Sequence, residues 1–295
     1  MRRFDMFVPQ NIAELLEFLD SNPSGVHLIA NGTDLINRIQ RKQLNPKVLV
    51  DLTGLNEFKY VKREAGMIRI GALTTVSELI ASPIVDSRYG VFREVASKFG
   101  GPSIINMATV GGNICAASSS EDLLPVFLVL NAQVQIRSIK GERNMSVEGF
   151  VKGKRMTDLR PNEIVTETSF PELAVNSTCS FEKVGMRNSL IIAFVNCATY
   201  LKLSKDTGTI EQIRIALNRT SGKIPQRARK TETMLKNKRI DEQTLTDAAA
   251  ALRSELKLSS DFRVSEEYRS EVACVLLKRA LLNCAKKISG EKIIV

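Results

Sequence analysis

Histidine is all but missing: His27 is the single one in 295 residues. One imidazole leaves almost no room for a histidine-dependent triad and none for a multi-histidine metal site. It lies in the apolar run VHLIA and reads as an ordinary strand residue. Cysteine is scarce as well, with five residues at 115, 179, 197, 274 and 284. An odd number so widely spaced offers neither a disulfide framework nor a local metal or iron–sulfur site, and the expectation is separate reduced thiols. The opening MRRFDMFVPQ has two arginines but no apolar run behind them, and nowhere do about eighteen apolar residues follow one another. The reading is a cytoplasmic chain with no membrane span. Aromatic residues make up 5% of the chain, and neither a zinc-finger spacing nor an RNP-type motif accompanies them. Nucleic acid is therefore not an expected partner, although the formal net charge is +10. Part of that charge is a basic run between Arg219 and Arg239, in which Glu232 is the only acid. Such a run is a solvated face or a seat for an acidic protein.

What is present supports a sizeable core. At 43% hydrophobic, the length suits two domains. Asn11 with Glu14 makes a capping-box-like helix start, followed by Ile12, Leu15, Leu16 and Leu19 on one helical face. VHLIA, the turn-like NGTD at 31–34, a helix to about Gln43 and the strand KVLVDL at 47–52 form a small βαβ unit. A strand IRIGAL at 68–73 precedes a second capping box, Thr75 with Glu78. A helix over about 88–99 stops at Phe99-Gly100-Gly101-Pro102. DLLPVFLVLNA reads as a helix that tolerates Pro125 in its first turn, and AQVQIRS as a strand that turns back at Gly141. Beyond Pro171, SFEKVG, AFVNCATYLKL and IEQIRIALN read as three strands, followed by helices. That order is an α+β pattern.

Two glycine-containing loops stand out, NGTD and ATVGGN at 108–113. Glycine permits positive φ and close approach of backbone to a ligand, and inward-turned amides can cradle phosphate oxygens. Two such loops suit a diphosphate. Neither is a GxGxxG or GxxxxGK[ST] fingerprint, so the common dinucleotide fold is disfavoured. Taken singly, NGTD is a plain turn. Downstream of Gly111 and Gly112, Ala116, Ala117 and serines 118–120 leave open space, or else form a tight loop and a capped helix start before Asp122.

IANGTDLINRI, NPKVLVDLTGL, IRIGALTT, INMATVGGNICAASSSEDLLPVFLVLNAQV and RIALNRTSGKIPQRARKTETML closely resemble the FAD-binding subunit of molybdenum hydroxylases, the xanthine dehydrogenase and carbon monoxide dehydrogenase group. FRVSEEYRSEVACVLLKRAL is similar to the end of that subunit's second domain. The resemblance implies an α+β chain: a two-lobed FAD-binding domain of the vanillyl-alcohol-oxidase type over 1–175, with lobes of about 1–55 and 56–175, then a smaller α+β domain over 176–295 with a three-stranded antiparallel sheet and helices. It implies that Leu28, Ile29, Ala30, Asn31, Gly32, Thr33, Asp34 and Leu35 hold the diphosphate through backbone amides, joined by Thr109, Gly111, Gly112 and Asn113. Asp122 would serve the ribose or adenine side. Phe99 would lie beside the flavin ring with Val165 as an apolar contact, and Lys183 would be a cation favouring the anionic reduced ring.

There are two departures from the pattern. Asn31-Gly32 stands where two glycines are usual, with Asn31 expected to tolerate positive φ in their place. Ile105 stands where a basic residue is usual. The implied activity is an oxidoreductase: FAD on this chain takes electrons from [2Fe–2S] clusters of a small subunit, a large molybdopterin subunit oxidises a purine or related N-heterocycle, and NAD+ or another acceptor receives the electrons. No catalytic side chain or metal is expected here. A self-contained flavin oxidoreductase on the same fold is the alternative, and a non-catalytic basic binding module a distant one.

Overall fold

A computed structural model describes residues 3–186, 192–218, 225–256, 258 and 260–290. Chain order begins β1 (Asp5–Phe7), α1 (Ile12–Ser21), β2 (Val26–Ile29), α2 (Leu35–Gln40) and β3 (Val48–Asp51). It continues β4 (Val61–Glu64), β5 (Met67–Gly71), α3 (Val76–Ala81), α4 (Val91–Phe99), α5 (Pro102–Met107), α6 (Val110–Ala116), α7 (Leu123–Val129), β6 (Gln133–Ser138), β7 (Gly141–Ser146), α8 (Val147–Phe150), β8 (Val151–Gly153), β9 (Met156–Thr157) and β10 (Ile164–Pro171). The last part holds β11 (Ser177–Val184), β12 (Val195–Leu203), β13 (Ile210–Asn218), β14 (Gln226–Arg227), α9 (Arg229–Leu235), α10 (Glu242–Glu255) and α11 (Glu266–Ser289).

The α+β reading holds, with three principal sheets. The first is parallel, in the order β1-β3-β2. Its β1 was not expected: three residues with no alternation carry no strand signal. Asn11 caps α1 by accepting from the Glu14 amide, while the Glu14 carboxylate reaches back to the Gln10 amide. Leu15 and Leu19 of that helix are buried with Val50, Leu52, Leu55 and Phe58 in one small core. The second sheet is antiparallel, in the order β4-β5-β10-β6-β7. Thr75 and Glu78 form the full capping box expected before α3. Every residue of α7 is buried, as an all-apolar helix between layers requires.

The third sheet runs β11-β12-β13-β14, so the expected three strands acquire a two-residue fourth. Its two faces go to different places. Cys179, Phe181, Ala198, Tyr200 and Ala216 join the large core built on the second sheet and α7. Val195, Cys197, Ile215 and Leu217 pack with apolar residues of α10 and α11 such as Leu252, Leu277 and Leu281. Alternation along a strand sends neighbouring side chains to opposite faces, so β11–β13 serve two cores at once.

The ATVGGN segment is not the loop expected. Thr109 is the N-cap of α6 and its hydroxyl accepts from Gly112, so both glycines sit in the first turn of a helix. A Cβ on Gly111 would stand 2.6 Å from the Ala72 Cβ and 2.8 Å from its carbonyl oxygen. Gly111 is therefore present to let α6 approach the end of β5. Part of the basic run, 219–224, lies outside the described residues. Of the remainder, Arg227 pairs with Glu232 at 2.6 Å and Arg229 with Glu148 at 2.6 Å, so this stretch is partly neutralised within the fold.

Candidate functional site

The C-terminal end of β2 and the turn after it open onto a cleft of about 720 Å³ whose other wall is α5 and the starts of α6 and α7. That is the size range of cofactor sites. After β2 the chain turns at Gly32, whose φ is +75°, and a Cβ there would stand 2.7 Å from Ile36 Cγ1. The left-handed conformation falls on Gly32 alone and not on Asn31 as expected. Asn31 instead spends its side chain on the Met107 carbonyl, 2.8 Å away, and so ties the turn to the end of α5. The amides of Gly32, Thr33, Asp34 and Leu35 donate to no protein acceptor among the described residues. Backbone donors at the wall of a cleft need a partner, and a phosphate oxygen is a fitting one.

Across the cleft the arrangement is the reverse. The amides of α6's first turn are all used: Val110 donates to Thr74 O, Gly111 to Ala72 O, Gly112 to the Thr109 hydroxyl and Asn113 to Thr109 O. The expectation of a second amide cradle is corrected here. These bonds fasten the helix start to the strand–turn segment 72–74, and what the segment presents to the cleft is side chains. Asn113 is 7% exposed, and its Oδ1 is buried with no hydrogen-bond partner. A ligand hydroxyl would satisfy it.

Leu28 through Leu35, Phe99, Thr109, Gly112, Asn113 and Asp122 all line the cleft. Gly111 and Val165 do not. They line a second, more apolar cavity of about 490 Å³ that shares Leu28, Ala30, Thr109, Gly112 and Cys115 with the first. Phe99 and Val165, expected on one flavin ring, thus flank different cavities. Val165 lies at an irregular register in β10, where the β6 partner shifts between Val165 and Glu167.

Lys183 and Asp122 are brought together. Lys183 Nζ lies 2.5 Å from Asp122 Oδ2, and both side chains are only 3% exposed. Asn196 Nδ2 donates to the other carboxylate oxygen at 2.8 Å, and Lys183 also donates to the Lys98 carbonyl at 2.8 Å. Lys183 is therefore no free cation at the cofactor: its charge is matched by Asp122. Its place beside Lys98 fixes the end of α4, where Phe99 meets the cleft. Asn218 completes the set, donating from its amide to Asn196 Oδ1 and from its side chain to the Glu121 carbonyl.

Sequence reasoning missed Glu121, Asn196, Asn218 and Arg155. Glu121 accepts from the Ser118 hydroxyl at 2.6 Å and from Asn113 Nδ2. Burial pushes its carboxyl up to about 8. Arg155, on the β8–β9 hairpin, grips Asp34 with two hydrogen bonds of 2.7 and 2.9 Å. Nothing in GKR at 153–155 marks such a role. The Cys115 thiol lines both cavities and burial pushes it up to about 12, so it stays protonated. Among the described residues no cluster of His, Cys, Asp and Glu could hold a metal ion, and no helix is long and apolar enough to cross a membrane.

Comparison with known proteins adds to this geometry. The family model for the FAD binding domain in molybdopterin dehydrogenase matches residues 2–173, and that for the CO dehydrogenase flavoprotein C-terminal domain matches 180–284. The glyceraldehyde dehydrogenase medium chain of Sulfolobus acidocaldarius is 30% identical, covering 94% of this chain and 96% of its own. The xanthine dehydrogenase FAD-binding subunit of Escherichia coli O157:H7 is 28% identical over 95% of each. Among solved structures, the carbon monoxide dehydrogenase from Hydrogenophaga pseudoflava that lacks the Mo-pyranopterin moiety superposes with a TM-score of 0.91 at 27% identity, covering 97% of this chain and 98% of that one.

Proposed function

This chain belongs to the family of FAD-binding subunits of molybdopterin dehydrogenases, and on that premise we propose that it is the electron-delivering flavoprotein of a xanthine- or purine-type dehydrogenase, working in a heterotrimer. The observation that carries the reading is the opposition across the cleft: four unpaired amides at 32–35 facing a helix start that offers the open Asn113 Oδ1. The residues present fit FAD. The turn 32–35 would hold the diphosphate, and Thr109, Gly112 and Asn113 would close on it from the other side. The two joined cavities would take the two ring systems, with Phe99 at one and Val165 at the other.

FAD, when bound, supplies the means to accept electrons singly and release them as a pair. The chain's own residues bind, orient and exclude water; none needs to move a proton. Lys183, Asp122 and Asn196 fix the wall behind Phe99 as a neutral buried unit. The five cysteines are free and stand apart, four of them buried, which supports placing the [2Fe–2S] clusters on a small partner subunit and the molybdopterin on a large one. We take residues 1–175, in lobes of about 1–55 and 56–175, as the FAD-binding unit and 176–295 as the second unit, all in the cytoplasm. NAD+ is the proposed acceptor, and the N-heterocycle would be oxidised on the large subunit without touching this polypeptide. The Escherichia coli relative supports the purine reading; a relative with an aldehyde dehydrogenase's name supports the view that this chain does not select the substrate.

The test is anaerobic: the chain loaded with FAD is expected to lose its visible absorbance on addition of NADH, and a spectrum unchanged by NADH but reduced by a dye donor rejects NAD+ as acceptor. Within the purified complex, xanthine is expected to reduce the flavin, and reduction by glyceraldehyde alone rejects the purine assignment.

A further inference from the structure

Two residues that lack glycine's freedom take the left-handed backbone conformation side by side near the cleft, Ala117 with φ +43° and Arg155 with φ +58°. They are joined, the Arg155 amide donating to the Ala117 carbonyl at 2.7 Å. Conformations of this kind are sterically costly, persist only where the surroundings impose them, and cluster at functional positions. What they impose here is the aim of one side chain. Arg155 sits at the turn between β8 and β9 and reaches Asp34, Nη1 to Oδ2 at 2.7 Å and Nη2 to Oδ1 at 2.9 Å. The planar fork and the carboxylate meet in the bidentate geometry that Arg alone provides.

Asp34 closes the turn whose amides open onto the cleft, and its carboxylate also has Arg38 at 3.9 Å. A carboxylate next to a diphosphate cradle repels the ligand unless it is neutralised. Arg155 neutralises it from the opposite lobe and keeps donors in reserve: a guanidinium carries five N–H groups, and two of them are on Asp34. Its side chain is 30% exposed, so the remaining donors are accessible.

We propose that Arg155 is the positioning residue that retains the cofactor's diphosphate: it straps the turn 31–35 to the second lobe through Asp34 and offsets the charge of both the carboxylate and the incoming phosphates. The proposal rests on the flavin reading above. It is tested with the full chain stripped of flavin, titrated with FAD at several salt concentrations as wild type, Arg155→Asn and Arg155→Lys. Asparagine tolerates the left-handed backbone, so the Asn variant removes the guanidinium without forcing a refold.

The expected result for Arg155→Asn is FAD affinity weaker by about 10- to 100-fold, the scale of a lost charge-assisted hydrogen bond pair, with a shallower dependence on salt. Arg155→Lys is expected to restore the salt dependence and only part of the affinity. Unchanged affinity in Arg155→Asn overturns the proposal, and so does weaker affinity with an unchanged salt slope, because that pattern marks a purely architectural role. A wild-type chain that takes up no FAD overturns the flavin reading itself, an outcome distinct from both.

Discussion

The turn at 31–35 and the helix start at 109–113 face each other and share the letters glycine, asparagine and threonine, yet they are built on opposite plans. The first leaves its amides unbonded and places its strain on Gly32. The second commits every amide of its first turn to the protein and offers side chains instead. Glycine in the first serves a backbone angle, and Gly111 in the second serves the approach of one element to another. A motif's letters therefore do not say which backbone groups are available to a ligand; only the accounting of hydrogen bonds does.

The side-chain plan is broken most severely by Asp122→Ala, which leaves Lys183 buried without its carboxylate. Loss of about 3–5 kcal/mol is expected, measured by urea denaturation. Gly111→Ala comes next. Its Cβ would meet backbone and Cβ of Ala72, so α6 must move from β5 at a cost of about 1–3 kcal/mol, read as a lower melting temperature both with and without flavin.

Gly32→Ala strains the turn and presses its Cβ on the Ile36 side chain. A cost of about 1–2 kcal/mol is expected for a left-handed alanine, and if the two plans differ as described, titration will show a loss of FAD affinity greater than that of Gly111→Ala. Asn113→Ala removes the open acceptor and is expected to weaken FAD by about 0.5–1.5 kcal/mol; an unchanged dissociation constant would place the ligand elsewhere.

The last effect is one of pH, and it acts on stability through a single carboxyl. Burial raises the Glu121 carboxyl to about 8, well above the ordinary glutamate range, so the folded chain binds the proton more tightly than the unfolded one. Its contribution to stability is full below the unfolded value and is lost as pH rises through the folded value. Thermal melts between pH 5 and 9 should fall less steeply for Glu121→Gln than for the wild type, and parallel curves would contradict that assignment.

How legible was this in the residues? The helix cap at Asn11, the capping box at Thr75 and the long alternating strands from 177 to 218 were readable because local rules decide them. The ATVGGN helix was not, since two glycines argue against a helix and the bonds to residues 72 and 74 that stabilise it come from elsewhere in the chain. Asp122 and Lys183 could be singled out one by one, but their pairing, 61 residues apart, could not. The grip of Arg155 on Asp34 spans 121 residues and left no trace in either neighbourhood. Side chains that act by meeting across the fold are invisible to reasoning that proceeds along it.

The third sheet sends one face into the large core built on the second sheet and α7 and the other under the C-terminal helices, so the proposed units 1–175 and 176–295 would share a packed boundary. A truncation there would expose Phe181's partners to water and leave a sticky remnant in place of a miniature flavoprotein. Anyone wishing to transplant the cofactor-holding half into another assembly must carry β11, β12 and β13 along with it.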